Sequence, residues 1–483
     1  MTDLATSLSI DFGLIGPELA LLVAASVILL IAFVAKVSRL APGVAVAGFA
    51  VSFGLALNQW SHQGAGFGGM VTCDHFGIMF KVLFIVGSFL SLLIAHRFFR
   101  YKGIDKPEFY ALLLISTFGM MVMANSTDLV VMFLGLEIMS VPLYVMAGLH
   151  RRSLESNEAG IKYFIMGAFA TGFLLMGIAF IYGAAETTNL RRIVTDFSYI
   201  AANSTLYFYI GASLILIGFG FKVGAVPFHT WVPDVYTGAP TPITAFFSVG
   251  PKAAGFAALL RIFNFGLAEM QDLTMVLWVI AVLTMTVGNV LALRQDNVKR
   301  MLAYSSIAHA GYILVALTAG GAAATSAAIF YLVAYTMFNL GAFAVLTLLE
   351  TRSGCKSDFS ELAGLSKGNP YLSVVLALFM FALSGFPPTV GFVGKFYIFA
   401  AAVHSGFIWL AVIGVLNSFV SVYYYLRVIK VSYFDQYDGT PVPATMTSSV
   451  LVVLVITTVG TLGLGLFPQR ILELSQQAMF AFL

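Results

Sequence analysis

Residues 221–242 read FKVGAVPFHTWVPDVYTGAPTP. An apolar helix carrying Lys222 runs here into prolines at 227, 233, 240 and 242, which lack an amide proton and clash with the preceding turn, so the helix has to break. A second stretch, FALSGFPPTVGFVGKF at 381–396, has the same make-up, with Lys395 after the break rather than before it. Outward from these two places the chain is a series of apolar runs near 14–35, 41–58, 76–95, 108–124, 128–148, 158–182, 204–237, 241–265, 273–293, 300–319, 323–349, 370–402, 406–429 and 447–467. Spans of this kind cross a hydrocarbon core of ~30 Å, and about fourteen are expected, the seventh and twelfth being the broken ones.

Composition agrees. Of 483 residues, 60% are hydrophobic and 10% charged, and the mean hydropathy of +0.94 excludes a soluble enzyme. A net charge of +3 gives no footprint for nucleic acid. Cys73 and Cys355 are the only cysteines, which argues against a disulfide framework, cysteine-ligated clusters or haem attachment. No nucleotide-binding, zinc or nucleophile motif stands in a credible context, so ATP is not the energy source. The start, MTDLATSLSIDFG, lacks a basic region and cleavage site, and the first apolar run reads as a retained helix.

Short cytoplasmic loops collect lysine and arginine. Threading alternate loops puts Lys36, Arg39, Arg97, Arg100, Lys102, Lys106, Arg151, Arg152, Lys162, Arg294, Lys299, Arg300, Arg352, Lys356, Lys367, Arg427 and Lys430 on one side, with Arg191, Arg192, Arg261 near a helix end, and Arg470 opposite. Both termini are therefore expected away from the cytoplasm. Paired interrupted helices in corresponding places of two halves point to inverted repeats. The expected organisation is an N-terminal three-helix segment (1–106), a first five-helix repeat (107–266), a second, inverted five-helix repeat (267–432) and a C-terminal helix with a short tail (433–483). The fold class is an all-α polytopic membrane protein.

Lys81, Lys222, Lys252 and Lys395 belong to no loop. A charge at the bilayer centre costs from ~3 to over ~10 kcal/mol, so it faces a bundle interior or water and has a partner. Desolvation disfavours an ammonium and pairing with a carboxylate favours it, so a buried lysine whose partner moves takes up or releases a proton. Glu137, in VVMFLGLEIMSVPLYVMAG, lies nine residues past Asp128, about 13 Å into the core, and is the expected ion-pair partner of Lys222. Lys252 is expected to accept a proton from Lys222 through water, and Lys395 to end the relay. His309, about 15 Å beyond Lys299, is the expected central group, with Tyr304, Ser305 and Ser306 as water-holding hydroxyls. His229 and Asp234, past the first break, are the expected cytoplasmic entrance. Lys81, seven residues in from Asp74, and Arg261, near a helix end, read as snorkelling cations. The bland alternatives are a static Glu137–Lys222 pair fixing register and a histidine that only bonds its neighbours.

Three long stretches carry a resemblance: residues 220–261, GFKVGAVPFHTWVPDVYTGAPTPITAFFSVGPKAAGFAALLR; 294–312, RQDNVKRMLAYSSIAHAGY; and 383–399, LSGFPPTVGFVGKFYIF. They resemble the antiporter-like membrane subunits of respiratory complex I and their relatives in multisubunit sodium/proton antiporters. The resemblance implies two inverted five-helix units and maps the family's helix-five glutamate on Glu137, its broken-helix lysine on Lys222, the next helix's lysine on Lys252 and the terminal relay residue on Lys395. One branch carries glutamate at that last position, and another a long C-terminal lateral helix that FPQRILELSQQAMFAFL is too short to supply. What it further implies is proton translocation in a bacterial inner-membrane NADH:quinone oxidoreductase, with FMN, iron–sulfur clusters and quinone in other subunits and no cofactor in this chain. The partners implied are neighbouring membrane subunits and the lipid bilayer. The alternative from another class is a subunit of a sodium/proton antiporter.

Overall fold

The computed structural model describes residues 11–34, 38–266, 271–351, 357–435 and 447–480. Lys36, Arg352, Lys356 and Cys355 lie outside them. The main helices are α1 (Gly16–Ala32), α2 (Ala41–Asn58), α3 (His75–Lys102), α4 (Pro107–Asn125), α5 (Leu129–Ala147), α6 (Leu154–Ala185), α7 (Thr205–Val223), α8 (Trp231–Gly238) and α9 (Thr241–Leu259). They continue as α10 (Gln271–Ala292), α11 (Val298–Ala319), α12 (Gly321–Glu350), α13 (Pro370–Ser384), α14 (Val390–His404), α15 (Ile408–Phe434), α16 (Ser448–Leu466) and α17 (Gln469–Phe480). Among the described residues 13 helices are long and apolar enough to span a membrane, and α13 and α14 are shorter apolar helices on either side of the second break. The chain is a polytopic all-α membrane protein. The one sheet among the described residues is a hairpin of β1 (Gly64–Gly66) and β2 (Val71–Cys73), paired antiparallel with Ala65 opposite Thr72.

Both breaks are built the same way. α7 ends on Gly224 at φ 75°, and the Ala225 N–H turns back to the Gly220 carbonyl at 2.8 Å. α13 ends on Gly385 at φ 84°, and the Phe386 N–H returns to Phe381 at 3.0 Å. Only glycine adopts this left-handed closure cheaply, which is why each break falls where the sequence places one. Each glycine is followed three positions later by a proline after a cis peptide bond, Pro227 and Pro388. By this register Lys222 corresponds to Leu383.

α9 occupies the centre, with every one of its residues buried. It packs between α3, α7 and α12. α4 and α5 cross at Gly119 and Gly135, where an added Cβ on Gly119 would stand 2.7 Å from the Gly135 carbonyl oxygen. That close crossing fixes α5, which carries Glu137, against the bundle.

Candidate functional site

Lys222, on the last turn of α7, is buried, and its Nζ donates to Ser140 Oγ at 2.8 Å and Tyr144 OH at 3.0 Å, both on α5. The ammonium stands 5.1 Å from the Tyr144 ring centre. The expected Glu137–Lys222 ion pair is not formed. Glu137 lies one turn before Ser140 on the same face of α5, half-buried, and its Oε1 has no hydrogen-bond partner. The two hydroxyls hold the amine a turn away from the carboxylate, so the pair stands open.

Lys252, on α9, points the other way. Its Nζ donates to the Ser306 carbonyl at 2.7 Å and to the Ser306 hydroxyl, both on α11. The two lysines are neighbours through backbone: a Cβ on Gly255, one turn past Lys252, would lie 3.6 Å from Lys222 Cβ. Their ammonium groups diverge, Lys222 towards α5 and Lys252 towards α11.

From Ser306 a row of hydroxyls continues. Ser305 Oγ and Tyr425 OH share a bond of 2.5 Å, Tyr425 OH is 2.9 Å from His309 Nε2, and Tyr331 OH is 2.6 Å from His309 Nδ1. His309 is buried, and Tyr312 meets it edge-on at 5.5 Å between ring centres. The Lys395 ammonium lies 4.9 Å from the Tyr312 ring centre. Its Nζ donates to the carbonyls of Leu383 and Ser384 at 3.0 Å each, and to Ser418 Oγ at 2.9 Å. Those carbonyls are freed by the break, since a helix leaves its last acceptors without an intrahelical donor. Every bonded acceptor of Lys222, Lys252 and Lys395 is a neutral oxygen.

A second row approaches Lys252 along α9. Thr241, Thr244, Ser248 and Lys252 recur at intervals of three, four and four residues and line one stripe about 16 Å long. Thr241 Oγ1 donates to Glu350 Oε2 at 2.5 Å at one end, and Asn339 Nδ2 donates to Ser248 Oγ at 2.6 Å nearer Lys252. Lys299, expected in a loop, is buried beside it and donates to the Ala239 carbonyl at 2.6 Å.

Of the expected entrance residues, Asp234 is bound by two cations, Lys162 of α6 at 2.8 Å and Arg300 of α11 at 3.1 Å. Lys162 also pairs with Glu158 at 2.6 Å. His229 lies in the break with its Nδ1 buried and unpartnered. The snorkelling reading of two cations is corrected. Lys81 is fully buried and pairs with Glu18 at 2.9 Å, and Arg261 is fully buried and grips Asp74 through both nitrogens, at 2.9 and 3.0 Å. Distance from a helix end does not turn a side chain outward when a carboxylate waits inside. Among the described residues no cluster of histidine, cysteine or carboxylate has metal-binding geometry.

Residues 126–421 match the family described as NADH:quinone oxidoreductase/Mrp antiporter, transmembrane. The chain is 47% identical to the NADH-quinone oxidoreductase subunit N of Trichlorobacter lovleyi, over 98% of this chain and 97% of that one. It is 39% identical to subunit N of Chloroflexus aggregans over 99% of both. Among solved structures it superposes on a chain of respiratory complex I from Thermus thermophilus with TM-score 0.81 and 32% identity, covering 95% of this chain and 98% of that one. A chain of the Mrp complex from a Dietzia species gives TM-score 0.86 at 22% identity over 97% of each, a likeness of fold.

Proposed function

This chain belongs to the NADH-quinone oxidoreductase subunit N family, and on that premise we propose that its buried row of amines, hydroxyls and His309 is the path by which it carries protons across the membrane. It is a membrane subunit of an oxidoreductase complex, working beside other membrane subunits. In our reading the membrane is the bacterial inner membrane, both termini face away from the cytoplasm, and residues 107–266 and 267–432 are the two inverted units. Flavin, clusters and quinone belong to neighbouring subunits.

The observation that carries the reading is a pair of bonded segments that meet at adjacent residues of α11, Lys252 on Ser306 and, from Ser305, Tyr425 and His309 to Tyr331, with Lys395 one ring away. Hydroxyls and imidazole both donate and accept, so a proton entering at one end is relayed by each group passing on its own. Amines resting on neutral oxygens alone lack the counter-charge that would fix them as ions, and a carboxylate that approaches or withdraws shifts the balance. Glu137 is such a carboxylate. Moving Lys222 one turn along α5, from Ser140 to Glu137, closes the pair; reopening it returns a charge to the row. The α9 stripe from Glu350 is the cytoplasmic intake in this reading, and Asp234 serves as a clamp joining α6, α8 and α11 beside it.

Replacing Lys222 by alanine in the assembled complex tests the reading: NADH-driven proton uptake by inverted vesicles is expected to be lost in this branch, and full pumping refutes it. Copurification of NADH dehydrogenase subunits with a tagged chain excludes the free-standing exchanger.

A further inference from the structure

A second buried charge cluster lies outside that row. Glu18, on the first turn of α1, is fully buried. Its Oε1 accepts from Lys81 Nζ of α3 at 2.9 Å and from Asn125 Nδ2 at the end of α4 at 2.7 Å. Lys81 also donates to Gln59 Oε1 at 2.8 Å and the Leu14 carbonyl at 3.3 Å. Two acceptors are left over: Glu18 Oε2 and Asn125 Oδ1 are buried without a donor. A buried carboxylate oxygen lacking a donor costs its full desolvation, so it marks a place where a proton or a water belongs.

The cluster is also connected. Asp74, Lys81 and Ser88 recur every seven residues on one stripe of α3, and Gly77 between the first two lets Asn125 Oδ1 come within 2.1 Å of where a Cβ would stand. Ser88 Oγ accepts from Thr117 of α4 at 2.8 Å. At the adjoining Gly87, α3 meets Val249 of α9 and Thr336 of α12, at 3.8 and 3.6 Å from a would-be Cβ. Val249 is one turn from Lys252. The stripe of α3 thus runs from the turn that packs on α9, one turn from Lys252, to Glu18, near the end of the bundle that the loop charges place outside.

We propose that Glu18 is the proton-release group of this chain, with Lys81 and Asn125 as its positioning residues. It rests on the relay reading above. A proton arriving along α3 binds Glu18 Oε2, the cluster gains one positive charge, and the proton's departure to the outer aqueous phase restores the carboxylate.

The test uses the whole complex in inverted vesicles and compares E18Q, the double variant E18Q/K81M, and K252M. The double variant removes both charges, so no unpaired ion is left inside to prevent folding. In E18Q and in the double variant alike, protons moved per NADH oxidised are expected to fall. Full wild-type stoichiometry in the double variant, with K252M deficient, overturns this inference alone and makes the pair structural. Full pumping by K252M refutes the relay reading instead. Should neither Glu18 variant assemble, a hydrophobic carbodiimide, which attacks carboxyls only when protonated, decides on the unaltered complex: modification of Glu18 during NADH turnover supports the assignment and its absence overturns it.

Discussion

Lys395 Nζ rests 3.0 Å from the carbonyl of Leu383, the residue that holds, relative to Gly385, the position Lys222 holds relative to Gly224. One break carries its amine on the incoming half-helix; the other receives an amine from the outgoing half at the matching turn. The lysines differ in sequence offset and in what holds them: the Lys395 ammonium sits on the carbonyls at the C-terminal end of α13, where partial negative charge favours a cation, whereas Lys222 reaches from the last turn of α7 to hydroxyls of α5.

Gly385 is the first place to perturb this. At φ 84° an alanine is strained, and its Cβ would lie 3.0 Å from Lys395 Cδ. G385A is expected to cost about 1–3 kcal/mol and to displace the amine from its carbonyls. A lowered Tm together with slowed coupled NADH oxidation checks it; unchanged values of both refute it.

Ser306 offers Lys252 two oxygens, and S306A removes only the hydroxyl. A hydrogen bond to a charged group contributes about 1.5–3 kcal/mol, so S306A is expected to slow pumping while K252M abolishes it. Equal loss in the two variants would mean that the hydroxyl is as essential as the amine.

Tyr425 joins Ser305 to His309. Y425F keeps the ring and removes the link, and coupled turnover is expected to slow by about tenfold, equivalent to ~1.4 kcal/mol. The solvent deuterium isotope effect is the sharper readout. It should rise if the broken link makes proton transfer rate-limiting, and a wild-type value speaks against Tyr425 as a relay.

Asp234 is half-exposed along with both its cations, so the clamp is screened by salt. D234N is expected to lower Tm slightly at low ionic strength and negligibly at high. Abolished pumping at all salt concentrations would restore Asp234 to the entrance role.

Burial pushes the Cys73 thiol, in β2 and outside the spans, up to about 11. The thiolate is the reactive form and appears only as pH rises towards that value, so at neutral pH Cys73 stays protonated. Maleimide is expected to leave Cys73 unmodified in the folded complex and to reach it after denaturation, as peptide mass spectrometry would show.

The spans and both breaks were legible because apolar length and the Gly/Pro sequence act locally. The amines were legible because a lysine in an apolar run is costly wherever the chain goes. Their partners were not. Ser140 and Tyr144 stand one and two turns from Glu137 on the same face, and charge alone pointed to the carboxylate. Tyr331 and Tyr425 look like ordinary aromatic packing until the fold turns their hydroxyls on His309. Lys81 and Arg261 were misjudged for a like reason. Glu18 sits on a helix remote in sequence, and a π-helical turn over Leu260–Gly266 at the end of α9 carries Arg261, where helical spacing gives no guide to the side chain's direction.

Because α9 has no residue at the protein surface, acyl chains never touch the element that bears Lys252. That helix is insulated like the core of a cable, and rolling or sliding it would tear contacts on all sides at once. A helix so held is a fixed frame for Lys252. Exchanging short lipids for long ones should leave conduction through the centre untouched, even where it alters how the subunit sits among its neighbours.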